Sequence, residues 1–480
     1  MIWDDSPRYP KRFRIGMQCE GEIDGPRLRQ AVEVAIRRHA MLLARPDHAI
    51  RPKHWVLEEL ASFQFAWGLG NFENAPEGFE KCWKKPDQFV ALRIWGCNEV
   101  GQANLVLDFH HANCDGLGAR VFLRDLMLAY DHLTAQSSRP AAVEGLQDAS
   151  ELDGDCGGPD WPRLEPKDLV DRDCFYRPKP DENSRPTTVW EKLLHAYRFH
   201  VLGPVAMFGV TGEKRIKTPR SVSVVSYHHR TLSQDVSTQI LEACERRGER
   251  FNEVAIALLM QTIADWNVRH GRSKPKHRLR ILVPTDLRTL RDKTLPAANR
   301  FSFAFVGTHI WETADWTTVH GLTHKHMEII RSLRLGVDFV DILGLLQSIP
   351  FISRIARQTL RIPLPMATAV LTNLGDVTRR HRKRYTHQDG CPVVGGLVLK
   401  SIVGAPPLRP KTALGVGLSF AAGKLTIGAA LDVSCLGRET AAVLDNYIAA
   451  WQNWLSKDQT VCESHGSQPS VLQQQQQSER

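Results

Sequence analysis

The segment HHANCDG, His110 to Gly116, gathers two adjacent imidazoles, a thiol and a carboxylate within seven residues. Imidazole is the side chain whose charge changes near neutral pH, so a histidine here can take a proton from an attacking group and hand it on. Cys114, close behind His111, is a candidate nucleophile that would form an acyl-enzyme, although a plain small residue is the simpler reading. The bland alternative for the histidine pair is local hydrogen bonding at a strand end. His228-His229, which no Asp-Gly follows, takes that alternative. Two histidines, three residues and then Asp-Gly has a chance on the order of 10⁻³ in a chain of this composition, so the full set weighs more than the pair.

The flanking sequence places the motif. ANLVLDF, Ala103 to Phe109, has the length and composition of a buried strand, and after Gly116 the apolar residues Phe122, Leu123, Leu126, Met127 and Tyr130 recur at helical spacing. The histidines therefore sit at a strand-to-helix junction, where a rigid scaffold commonly presents reactive groups. Upstream, Leu28, Ala31, Val32, Ala35 and Ile36 share one helical face, with Asp24 able to cap and Pro26 suited to the first turn. From about 134 to 188 the composition turns to Pro, Gly, Ser and Asp, which predicts a long connection between two lobes.

Beyond it, Leu232 to Arg247 and Asn252 to Arg269 read as helices, the second apolar nearly all round and so deeply buried. LRILVPTDLR reads as a strand stopped by Pro284. FSFAFVG is a strand, and GVGLSF with KLTIGAAL form a hairpin around Ala421-Ala422-Gly423. The expected organisation is a lobe over 1–188, a second over 189–455, and a disordered Gln-rich tail over 456–480.

Bulk properties narrow the class. Of 480 residues, 42% are hydrophobic and 24% charged, close to globular averages and enough for two domains. No stretch reaches the roughly 18 apolar residues that span a bilayer, and MIWDDSPRYPKRFRIG is charged where a signal peptide turns apolar, so a cytoplasmic location is expected. Ten scattered cysteines without a C-x-x-C pair suit reduced thiols, and no metal is expected. The net charge of +9 favours anionic partners in general. Its densest run, RRHRKR at Arg379 to Arg384, lacks interleaved aromatics and reads as a solvated loop, not a nucleic-acid site. The stretches from Val337 to Leu364 and VLGPVAMFGV suit a core, a tunnel lining or a lipid-touching surface.

HHANCDG resembles the HHxxxDG motif of the chloramphenicol acetyltransferase-like superfamily, which includes condensation domains of nonribosomal peptide synthetases, polyketide-associated acyltransferases, wax ester synthases and alcohol acetyltransferases. Three further segments occur in that superfamily's order. GEIDGPRLRQAVEVAIRRHAMLL is similar to its opening helix ending in RHxxLR, PTDLR at Pro284 to Arg288 to its P-V-D/N-L-R, and LTNLGDV at Leu371 to Val377 to its SNxG segment. The resemblance spans roughly Gly21 to Tyr447.

It implies an α/β fold of two similar lobes in a V, with a tunnel between them that admits an acyl thioester from one face and the acceptor from the other. It also implies that His111 is the general base. Asp115 would be structural, paired with an arginine for which Arg288 is the candidate. Gly116 would keep the tunnel open and tolerate backbone angles that other residues resist, and His110 would support the loop. The backbone amide near Gly116 and the side chain of Asn373 are the oxyanion candidates. No cofactor would be bound permanently; acyl-CoA or a phosphopantetheine thioester on an acyl carrier protein would be co-substrate, and an alcohol or amine, a lipid or secondary metabolite among them, the acceptor.

One position departs from the pattern: Leu43 stands where RHxxLR has its second arginine, with Arg45 two residues on. That leaves Asp115 short of a partner if this helix supplied one. Two other readings stay open. His110 to Asp115 also counts as the H-x₄-D of glycerolipid acyltransferases, though their E-G-T-R companion is absent, and a condensation-like protein can bind an acyl carrier protein without catalysis.

Overall fold

The computed structural model describes residues 5–47, 55–57, 63–79, 88–137, 190, 208–209, 219, 222–271, 274, 276–288, 295–332, 366–379 and 385–466. Most of the connection expected over 134–188 lies outside them. So do 337–364, nearly all of VLGPVAMFGV, the basic run after Arg379, and the end beyond 466.

Two mixed sheets carry the fold. The first runs β11-β12-β13-β1-β6-β5-β4, with β1 Arg12–Glu20, β4 Gln64–Trp67, β5 Leu92–Glu99, β6 Gln102–His110, β11 Thr386–Gln388, β12 Cys391–Val394 and β13 Leu397–Ala405. The second runs β7-β15-β14-β10-β8-β9, with β7 Val225–Thr231, β8 Arg278–Asp286, β9 Phe301–His309, β10 Ala369–Asp376, β14 Leu414–Ala421 and β15 Lys424–Asp432. A short ribbon joins β2 Ala44–Pro46 to β3 Trp55–Leu57.

Helices α1 Gly25–Ile36 and α2 Gly116–Ser137 cover the first sheet. Asp24 caps α1 by accepting from Arg27 N, with Pro26 in the first turn, and the face of Leu28, Ala31, Val32, Ala35 and Ile36 is buried as its spacing predicts. The second sheet is covered by α3 Gln234–Arg246, α4 Phe251–Arg269, α5 Trp316–Ser332 and α7 Thr440–Gly466, with the short α6 Val433–Leu436 before the last. Helix α4 buries residues on every face, as its unbroken apolar run demands. Each lobe thus has its own core, where each buried Leu or Phe contributes about 1.5–3 kcal/mol. No helix among the described residues is long and apolar enough to cross a membrane.

Four expectations are corrected. Residues 386–405, placed by sequence in the second lobe, pair with β1 and complete the first sheet. Pro284 does not stop β8: the parallel pairing of β8 with β10 ends at Leu282, and Pro284 continues opposite Phe303 of β9. A missing N–H is tolerated where one side of the strand is already unpaired. Helix α2 runs through Ser137, past the predicted start of the connection at about 134, and α7 runs through Gly466, past the predicted start of the tail at 456. The β14–β15 hairpin stands as predicted, with Ala422 and Gly423 both at positive φ.

The sheets meet where side chains are smallest. A Cβ on Gly417 would lie 2.1 Å from Gly404 O, and one on Gly428 2.3 Å from the same oxygen. Glycine at these positions lets β13 lie directly against β14 and β15.

Candidate active site

His110 is the last residue of the β6 ladder, opposite Arg12. Its ring is buried, with Nε2 3.4 Å from Asp5 Oδ2 and Nδ1 accepting from Ala112 N at 3.3 Å. A carboxylate accepts, so Nε2 carries the proton. Burial lowers its pKa, against the opposing effect of Asp5.

His111 leaves the ladder, its N–H donating to Lys11 O at 2.8 Å. Its ring lies between Phe13, centroid 5.0 Å away, and Phe301, stacked at 4.6 Å. Nδ1 is 3.0 Å from Cys114 O. A carbonyl can only accept, so Nδ1 bears the hydrogen and Nε2 presents its lone pair. Burial lowers the His111 pKa to about 4, opposed by the charge of Asp115, so the ring is neutral at neutral pH. The two neighbouring histidines therefore hold opposite tautomers.

Asp115 uses both oxygens fully. Oδ1 accepts from Gly118 N at 2.8 Å, capping α2, and from Arg288 Nη2 at 2.9 Å; Oδ2 accepts from Arg288 Nη1 at 2.9 Å and Arg300 N at 2.6 Å. The fork is bidentate, and Arg288 also donates to Ala298 O and Asp286. Leu43 consequently leaves no gap at Asp115: it packs on the first core, while Arg38 of the same segment pairs with Asp125 of α2 at 2.6 Å.

Gly116 matters for space and not for torsion. Its φ is not positive, and a Cβ there would lie 2.8 Å from Leu374 Cδ2 of β10. Arg120, one turn on, donates to Leu374 O and Asp376 O, so β10 is tied to the start of α2. Asn373 is held at both ends: Nδ2 donates to Asn252 at 2.7 Å and Oδ1 accepts from Gly375 N at 2.7 Å. Both ends of the amide brace their own surroundings. Cys114 is fully buried, its thiol pKa raised well above the ordinary range by burial and then by Asp115, with Sγ directed at Asp115 O. That environment opposes a thiolate nucleophile.

Sequence reasoning missed the segment that holds this loop. Ala298 O accepts from Asp115 N, Asn299 Nδ2 donates to His111 O at 2.5 Å, and Arg300 N reaches Asp115. A Cβ on Gly118 would meet Ala298 N and O at 2.8 Å, so the approach needs glycine. Asn113, buried within the motif, donates to Met41 O and Ala44 O. The available signal was Asn299-Arg300, two polar residues just ahead of an apolar strand. Among the described residues no His, Cys, Asp or Glu group could hold a metal ion.

No family model matches the chain, and no curated protein matches it in sequence. Solved structures do match in fold. The trichothecene 15-O-acetyltransferase TRI3 from Fusarium sporotrichioides superposes with a TM-score of 0.59 at 12% identity, over 93% of this chain and 91% of that one. The epimerization domain from the third module of tyrocidine synthetase B gives 0.54 at 14%, over 94% and 92%. The condensation domain of the monacolin K polyketide synthase MokA gives 0.53 at 13%, over 93% and 92%. The chain has the fold shared by condensation domains and chloramphenicol acetyltransferase-like proteins.

Proposed function

We propose that this chain is an acyltransferase that moves an acyl group from a thioester to an alcohol or amine, with His111 as general base. The carrying observation is the hydrogen bond from His111 Nδ1 to Cys114 O, which leaves Nε2 an acceptor on a ring that is neutral at neutral pH. The acceptor heteroatom bonds to the thioester carbon as its proton passes to Nε2. The carbon–sulfur bond then breaks, and the imidazolium returns the proton to the departing thiolate. Burial makes His111 a weaker base than one titrating near 7, but keeps every ring in the form able to accept. Asp115 stabilises the imidazolium that forms and, held by Arg288, keeps the loop in place.

The developing oxyanion is assigned to the backbone amide at Gly116, at the start of α2, where the helix dipole adds to the effect. Asn373, one N–H of which goes to Asn252, is the second candidate donor. The donor is acyl-CoA or an acyl carrier protein. The acetyltransferase among the fold relatives and the synthetase and synthase domains beside it support acyl transfer and a carrier-borne donor respectively.

The test is thiol release from short and long acyl-CoAs and acylated carrier proteins, with alcohol and amine acceptors, comparing the natural protein with His111→Ala. Release that requires both acceptor and His111 is expected and names the substrate class. Release from neither donor type would replace this reading with that of a carrier-binding protein.

A further inference from the structure

Behind the His111 loop lies a second buried imidazole that the mechanism does not use. His39, at 0% exposure, comes just after α1 and packs edge-on to Phe122 of α2 at 5.2 Å. Both ring nitrogens are committed. Nδ1 accepts from Ala297 N at 2.9 Å, and Nε2 lies 3.1 Å from Asp125 Oδ2. The peptide N–H can only donate, so Nδ1 is bare and Nε2–H donates to the carboxylate. Asp125, itself fully buried, is held by Arg38 on Oδ2 and Arg124 on Oδ1, each at 2.6 Å.

Ala297 opens the stretch whose next three residues grip the reactive loop: Ala298 and Arg300 on Asp115, Asn299 on His111. The segment after α1 also receives Asn113 of the loop at Met41 O and Ala44 O, and Met41 and Ala44 pack with Leu295 and Ala298. His39 thus stands where three separate pieces of chain meet: the end of α1, the middle of α2 and the 297–300 clamp. A buried ring with two directed bonds fixes angles as well as distance, and reactive groups misplaced by about 1 Å can lose on the order of a hundredfold in rate.

We propose that His39, oriented by Asp125, is a positioning residue: it sets Ala297 and through it the clamp that holds the imidazole of His111 in its Nδ1–H tautomer. This rests on the reading of His111 as base. The test separates the two bonds. In His39→Asn the side-chain oxygen replaces Nδ1 and keeps the bond from Ala297. In His39→Gln the amide replaces Nε2 and keeps only the bond to Asp125. His39→Gln should lower kcat about tenfold or more with KM for either substrate within about twofold, while His39→Asn retains most of kcat. Equal losses in the two, or losses that only track Tm, overturn the proposal.

A readout independent of turnover is ¹⁵N-histidine NMR, with the His111 signal assigned by its disappearance in His111→Ala. In His39→Gln the His111 signal should move from the Nδ1–H pattern toward mixed tautomers, and in His39→Asn stay in place. An unchanged signal in folded His39→Gln overturns the proposal even if the protein is active. A changed signal in a protein that releases no thiol leaves the proposal standing and removes the acyltransfer reading. Should His39→Gln fail to fold, Asp125→Asn, which keeps shape and removes charge, is read by the same signal.

Discussion

His110-His111 and His228-His229 are the same dipeptide with different fates. The second pair lies within β7, both residues in register with β15. Neighbours on a strand face opposite sides of the sheet, so the two rings cannot share a site. His228 Nε2 bonds Thr440 at 3.1 Å, and His229 lies edge-on to Phe72 at 5.3 Å. The first pair straddles a strand end. His110 stays in the ladder, His111 steps out of it, and the chain turns back so that the Cys114 carbonyl fixes its ring. The residues downstream make the difference: Asp115 and Gly116 start a helix at one site, whereas Arg230 and Thr231 prolong a strand at the other.

That contrast can be broken by experiment. The largest effect is expected at His111→Ala, a loss of about 10²–10⁴ in kcat, against no more than about twofold at His229→Ala, where no proton transfer is assigned. Comparable losses at both would erase the distinction. Next, Arg288→Ala strands the buried Asp115 carboxylate and should cost about 3–5 kcal/mol in denaturant unfolding, with donor KM little changed. A pure KM effect with normal stability would instead place Arg288 on the donor.

Acid sharpens the comparison further. Burial lowers the pKa of His39, His110 and His111 in the folded protein, the last to about 4, whereas an unfolded imidazole titrates near 6.5. Below that pH the unfolded chain binds protons that the folded one refuses. The stability is therefore complete above about 6.5 and lost as pH falls toward the folded values, by about 1.4 kcal/mol per pH unit for each histidine. Urea titrations between pH 7 and 5 measure the slope; a flat profile would mean that the folded and unfolded rings titrate alike. The smallest effect belongs to Cys114→Ala, which should keep kcat within about twofold, since the thiol is buried and protonated. A trapped acyl-cysteine would overturn direct transfer.

The strand, the junction and the helix after it were legible because apolar spacing is local and HHANCDG interrupts it with polar residues that no core requires. The pairing of Asp115 with Arg288 came from resemblance alone, and 173 residues separate the partners. The hidden contacts depend on distant backbone. Nothing in Asn299 or His39 announces that one donates to the His111 carbonyl and the other accepts from the Ala297 amide. The bond from the Asn373 amide to Asn252, 121 residues away, was hidden for the same reason. The lobe boundary misled because composition marks a linker but not which sheet a later strand joins.

That late strand decides how the gene could be divided. Cutting in the connection after Ser137 leaves an amino-terminal piece with α1, α2 and the whole HHANCDG loop, yet β1 would lose β13 and become a bare edge of nine residues. An uncovered strand of that length invites pairing with other copies. Its missing neighbour is made late, so the first half of the nascent chain cannot close its own sheet until the ribosome has passed Ala405. The protein is two lobes in shape of core but one unit in synthesis.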